Sequence, residues 1–192
     1  MTDTNTNAAR NGSDLLHDIK FSVEIECSLP IDEMRSRGWV VGRYHNGAAV
    51  PGFSGWTVEA DASLHTSRRG HRMVEVVGPV MQGIAGLVAI SSMLPHLSEM
   101  GGRVNKSCGL HINVSHPELF SVRAIRRLIR LTARHEKALF AINGSPTRED
   151  DYDVNYYCKS IRTSYKDKGY GELRALRNIV QSYSERYHTL NL

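Results

Sequence analysis

Six polar side chains on four short stretches have the types and spacing to hold hard cations. They are Glu24 and Glu26 in FSVEIECSL (residues 21–29), Asp61 in WTVEADAS, Glu75 in RMVEVVGPV, and His111 with Asn113 in SCGLHINVSH. Alternate residues of a strand share a face, so Glu24 and Glu26 stand side by side, opposite Val23, Ile25 and Cys27. Neighbouring carboxylates raise each other's pKa unless cations or protons lie between them. A solvated edge strand would account for the Glu24–Glu26 pair taken alone, and plain exposure would account for Glu75. Their repetition on successive strands is what points to chemistry. Oxygen ligands with a single imidazole suit Mg²⁺ or Mn²⁺ better than a structural zinc. Two such ions on a sheet face would neutralise nucleotide phosphates and the charge that develops during phosphoryl transfer. The chain has no GxxxxGK[ST] loop, so phosphates would be held by metals and arginines rather than by a glycine cradle.

These groups meet only if their strands pair in one sheet. The strand over residues 21–29 is followed by a stretch with scattered Gly and Pro (Gly38, Gly42, Gly47, Pro51, Gly52, Gly55) around apolar Trp39–Val41. That pattern predicts an irregular excursion with one strand or a short helix over 31–37, and it is a candidate substrate loop. A short strand and turn over 56–63 lead through the basic loop LHTSRRGH into the strand bearing Glu75, which Gly78 and Pro79 end. Residues 83–100 predict a helix with Leu87, Ile90, Leu94 and Leu97 on its apolar side, Pro95 in or near its last turn, Gly101 and Gly102 closing it, and methionines serving as core. His111 and Asn113 then share one face of a strand, with Leu110, Ile112 and Val114 on the other.

Residues 121–142 give the clearest helical period. Val122, Ile125, Leu128, Ile129, Thr132, Leu139 and Phe140 form the stripe, and Arg123, Arg126, Arg127, Arg130 and Arg134 take the other faces. Solvation of an amphipathic helix accounts for those arginines, and RNA or phosphate binding is the alternative. The loop NGSPTREDDYD, a Tyr-rich segment and a last helix over 172–187 follow, the last with Leu173, Leu176, Ile179, Val180 and Tyr183 as its buried side. The class expected is α+β, an antiparallel sheet with helices packed on one face.

The 192 residues suit one domain, here 19–192, after a polar tail, 1–18, predicted to be disordered. A net charge of +4 fits anionic small-molecule ligands and is too weak to argue for nucleic acid. Cys27, Cys108 and Cys158 stand far apart without CxxC spacing and read as reduced thiols of a cytoplasmic protein. No apolar run has the form of a signal peptide or the length to span a membrane.

The ordered set FSVEIE, VEADASL, VEVVGPV, a helix and VNKSCGLHINV is similar to the amidoligase family, relatives of glutamine synthetase and glutamate-cysteine ligase among the ATP-dependent carboxylate–amine ligases. The likeness continues through RLIRLTARHEKALFAI, through Arg148 and NYYC at residues 155–158, and into ERYHTLNL, covering nearly everything from residue 20 onward. The resemblance implies an antiparallel sheet of the glutamine synthetase type that binds ATP and two or three Mg²⁺ or Mn²⁺ ions. Glu24, Glu26, Glu75 and His111 then match metal ligands, and Asn113 lines the same site. Arg148, Arg186 and Asn191 match polar positions that contact nucleotide or substrate, with Arg186 in a catalytic role. Asp61 matches a further ligand or a helper in deprotonating the amine.

The implied reaction activates a carboxylate with the γ-phosphate of ATP, after which an amine displaces phosphate to form an amide. Small-molecule or peptide acids and amines are the implied substrates, with a protein substrate or a homo-oligomer as further partners and no nucleic acid or membrane. In these ligases a later strand carries Glu-x-Arg, and the domain is expected to lack that strand. A catalytically inactive nucleotide- or metal-binding relative is therefore the alternative. An RNA-binding protein using the Arg-rich helix and a metal-dependent hydrolase are the remaining readings.

Overall fold

The computed structural model describes residues 17–117, 121–142 and 190. The chain divides into two compact units, residues 1–116 and 117–192, each described by itself. The predicted tail up to residue 16, the segment 143–189 with its expected last helix, and Cys158 lie outside the described residues.

In the first unit the longest strand, β1 (Lys20–Pro30), is paired along both edges. It is followed by α1 (Ile31–Ser36), β2 (Ala48–Ala49), β3 (Thr57–Glu59), β4 (His71–Val77), β5 (Met81–Gln82), α2 (Gly83–Glu99) and β6 (Leu110–Ser115). The six strands form one sheet in which every ladder is antiparallel. Glu24 is opposite both Val77 and His111, and Lys20 is opposite both Gln82 and Ser115. A residue has only two edges to offer, so β4 and β5 lie along one side of β1 and β6 along the other. Gly78 and Pro79 end β4 as the sequence predicts, although the chain pairs again briefly as β5.

The expected α+β class is the one observed, and the period-2 alternation assigns the faces. Val23, Ile25, Cys27 and Leu29 of β1, Val58 of β3, and Val74 and Val76 of β4 join one buried cluster with Met34 of α1 and Met93, Leu97 and Met100 at α2. Among the described residues, α1 and α2 both contribute to the apolar face. Burial pushes the Cys27 thiol up to about 12, which keeps it protonated and unreactive.

Of the predicted apolar side of α2, Leu97 is buried and Ile90 packs against the core, but Leu87 and Leu94 are not buried. Gly83, Gly86, Met93 and Leu97 are inside, whereas Leu87 is 43% and Leu94 49% exposed. The helix is apolar nearly all round, so a second stripe with the right period was available, and the small residues decide between them. A Cβ at Gly86 would lie 2.7 Å from both Phe21 Cζ and Met81 Cβ, so only a bare Cα lets the helix rest on the sheet here. The end of α2 is as expected: Gly101 N–H donates to Ser98 O (2.9 Å) and Gly102 N–H to Leu97 O (2.9 Å), the two bonds of a Schellman cap. Leu110, Ile112 and Val114 of β6, predicted to form that strand's apolar side, are 43%, 61% and 52% exposed.

In the second unit, α3 (Val122–Ile142) buries Val122, Ile125, Ile129, Thr132, Glu136 and Phe140. This agrees with the predicted stripe except at Leu128, which is half-buried, at Leu139, which is exposed, and at Glu136, which is fully buried. No helix among the described residues is long and apolar enough to cross a membrane.

Gly86→Ala separates two opposing effects. An exposed helical glycine replaced by alanine gains about 1 kcal/mol of stability, but overpacking against Phe21 and Met81 costs about 1–3 kcal/mol. We expect thermal melts to show a lower Tm for this variant, by several degrees.

Candidate metal centre

Cross-strand partners in an antiparallel ladder project to the same face. Here the register sets Glu59 opposite Glu75, Glu75 opposite Glu26, and Glu24 opposite His111. Three carboxylates therefore form a row across β3, β4 and β1, with Glu24 and His111 beside it, on the face opposite the apolar core. Glu26, Glu59 and Glu75 are buried, Glu24 and Asp61 are half-buried, and His111 is about half exposed.

Backbone and side-chain donors hold these acids in place. His111 Nδ1–H donates to Glu24 Oε2 at 2.8 Å, and the Asn113 amide donates to Glu24 Oε1 at 2.9 Å. Gly109 N–H donates to Glu26 Oε2, and Ser63 N–H donates to Asp61 Oδ1 at 2.6 Å. His111 Nε2 is 3.7 Å from Glu26 Oε1, beyond hydrogen-bond reach but close enough to feel its charge. Glu59 accepts the His45 N–H at 3.2 Å, which brings the turn from the long insert onto the acid face.

Ligand atoms of Glu24, Glu75 and His111 all lie within 4.8 Å of one another, and so do those of Glu26, Asp61 and Glu75. Two three-ligand groups thus share Glu75. Its carboxyl is pushed up to about 7, first by burial and then by the charges of Glu24 and Glu26. Glu24 is held below its ordinary value, chiefly by the hydrogen bond from His111 and then by the one from Asn113. The imidazole is raised, mainly by that same bond to Glu24. Anionic oxygens with one imidazole fit a hard divalent ion, whose charge would favour the ionised Glu75 carboxylate against its burial and its acidic neighbours.

Residues 1–191 match the family described as "Putative amidoligase enzyme". The chain belongs to the amidoligase family. No curated protein and no solved structure matches it.

Of the positions read from the sequence by resemblance to the amidoligases, the structure brings together Glu24, Glu26, Asp61, Glu75, His111 and Asn113. Arg148, Arg186 and Asn191 lie outside the described residues. Two further residues enter this site of the amidoligase-family fold. Glu59 sits two positions before Asp61, and that spacing was its only signal in the sequence. Gly109 is the other: a Cβ there would lie 3.0 Å from Glu26 Oε2 and 3.3 Å from His111 Nε2.

Two outcomes are expected for this amidoligase-family chain. Gly109→Ala should retain the fold by circular dichroism yet weaken Mn²⁺ binding by calorimetry at least tenfold, because the methyl group enters the space between a carboxylate and an imidazole. The pH dependence follows from Glu75, whose folded value of about 7 lies above its ordinary 4.5. Its contribution to stability is fully present below about pH 4.5 and is lost as pH rises through about 7. The raised His111 acts in the same sense at higher pH, whereas the lowered Glu24 loses its contribution as pH falls below 4.5. Without metal, Glu75→Gln should therefore raise stability at pH 8 by on the order of 1 kcal/mol, reduced by the water that still reaches the site. Melts at pH 5 should show no such gain.

Proposed function

We propose that this chain is an ATP-dependent carboxylate–amine ligase that forms an amide through an acyl phosphate, on an antiparallel sheet of the glutamine synthetase type. The observation that carries the reading is the pair of three-ligand groups sharing Glu75 on one sheet face of an amidoligase-family chain. Glu24, Glu75 and His111 would hold one Mg²⁺ or Mn²⁺ ion, and Glu26, Asp61 and Glu75 a second. Bound there, the ions would supply positive charge to the β- and γ-phosphates and offset their repulsion of an incoming carboxylate.

The protein's own groups have separate tasks in this scheme. Asn113 and the Gly109 N–H fix the orientation of Glu24 and Glu26, so that ligand oxygens are held before substrate arrives. The substrate carboxylate attacks the γ-phosphorus, its new O–P bond forming as the bond to the β-phosphate oxygen breaks and ADP leaves. The amine then adds to the acyl carbon, phosphate departs, and the ammonium proton passes to a base. Asp61, half-buried with one oxygen bonded to Ser63 N–H, has one oxygen left and would serve either as the third ligand of the second ion or as that base. Arg148, Arg186 and Asn191 would contact nucleotide or substrate, with a small-molecule or peptide acid and amine as the reacting pair.

Mg·ATP is expected to raise the Tm of the wild-type protein by several degrees, and Glu26→Gln to abolish that shift. Release of ADP and phosphate that depends on an added amine is the turnover expected, measured by a coupled assay across a panel of acids and amines. Nucleotide binding without amine-dependent turnover would instead identify a non-catalytic relative, and absence of any Mg·ATP effect would overturn both.

A further inference from the structure

Two loops border the acid face, one leaving it and one returning to it. Residues 60–70 depart at Asp61, and residues 100–109 re-enter at Gly109, whose N–H bonds Glu26. They are tied to each other. The Asn105 amide and the Ser107 hydroxyl both donate to the His65 carbonyl (2.8 and 3.3 Å), and His65 N–H donates to Ser107 Oγ (3.3 Å). Beneath them Leu64, Met73 and Cys108 form a small buried cluster. The outer ends are anchored as well: Ile31 N–H donates to Gly70 O at 2.9 Å, and Arg103 and Ser28 exchange backbone bonds of 2.8 and 2.9 Å. Cross-linked in this way, the loops make a single ledge.

The ledge carries one sign of charge. Residues 62–70 and 101–109 contain no Asp or Glu, while Arg68, Arg69, Arg103 and Lys106 are exposed on them together with His65. Arg68 and Arg69 make no ion pair with any acid among the described residues. A surface that intersperses both signs needs no ligand, but this cationic ledge starts at Asp61 and Gly109 on the acid face and runs to Gly70 at Ile31, so opposite potentials follow one another along it. A ligand with metal-chelating oxygens at one end and further anionic oxygens at the other matches both. Guanidinium forks suit phosphate and carboxylate oxygens equally.

We propose that the ledge formed by residues 62–70 and 101–109 is an oxyanion subsite, holding through Arg68 and Arg69 the phosphate or carboxylate oxygens of a ligand whose other end is chelated at the metal centre. This rests on the metal-binding reading above.

Calorimetry with Mn²⁺ alone, and then with inorganic tripolyphosphate or tricarballylate at fixed Mn²⁺, tests it. The proteins compared are the wild type, the Arg68→Ala/Arg69→Ala double variant, and Arg127→Ala/Arg134→Ala, which removes the same charge from exposed positions of α3. The ledge variant should bind at least one of the two anions tenfold more weakly than wild type while its Mn²⁺ affinity stays within twofold, and the α3 variant should match wild type throughout. Whichever anion loses affinity identifies the source of the oxygens. Equal anion binding by wild type and ledge variant, an equal loss in the α3 variant, or no anion binding by wild type overturns the proposal. Absence of Mn²⁺ binding with anion binding that still depends on Arg68 and Arg69 would overturn the metal reading and leave the ledge standing.

Discussion

Mutual repulsion of carboxylates held at strand spacing is the constraint on which this molecule turns. Glu59, Glu75 and Glu26 occupy directly opposed positions on three adjacent strands, and Glu24 joins them from the next pair along β1. Two ionised carboxylates about 4 Å apart repel by about 4 kcal/mol at an effective dielectric of about 20. Three of them in one buried row, with half-buried Glu24 beside it, are a large cost for a marginally stable domain unless something answers the charge. Without metal the response is partial: Glu75 takes up a proton near neutral pH, His111 becomes more basic, and backbone N–H groups from Gly109 and His45 bind two of the acids. Such an arrangement is costly as pure structure and would be offset by divalent cations bound among the acids, which is why the acids point to chemistry.

The division of labour between the two faces of the sheet makes the cost bearable. Every alternate residue of β1 from Val23 to Leu29 is buried in the core with methionines and a leucine from α2, while the residues between carry the site. Because β1 is paired on both edges, neither its register nor its side-chain directions can drift without breaking two ladders at once. A slip of one residue would send all the acids into the hydrocarbon and all the valines outward. The core thus holds ligand oxygens to the tolerance a metal site demands.

Loops, rather than helices, give the acid face its surroundings. The turn around His45 reaches Glu59, the segment after β3 brings Asp61 against Glu26 and Glu75, and the segment before β6 places a bare Cα between Glu26 and His111. Apart from Asp61, these segments carry cations and glycine where the strands carry acids. Such potentials would steer and orient an anion bound at the proposed subsite.

The amino-acid sequence by itself determined the α+β class and the face that Glu24, Glu26, Glu75 and His111 share, because strand alternation is a local rule of backbone geometry. It also carried the family, since the ordered stretches around those residues survive as a linear pattern. The buried side of α2 was legible at Ile90 and Leu97 but not at Leu87 and Leu94, because the small residues at 83 and 86 win the close approach to the sheet. The burial of Glu59 and the tight seat of Gly109 likewise came only from tertiary structure, for both depend on chain segments far away in sequence folding onto the acid face. Pairing partners and distances between ligand atoms are properties of the closed sheet, where a one-residue register choice decides whether four carboxylates converge or scatter.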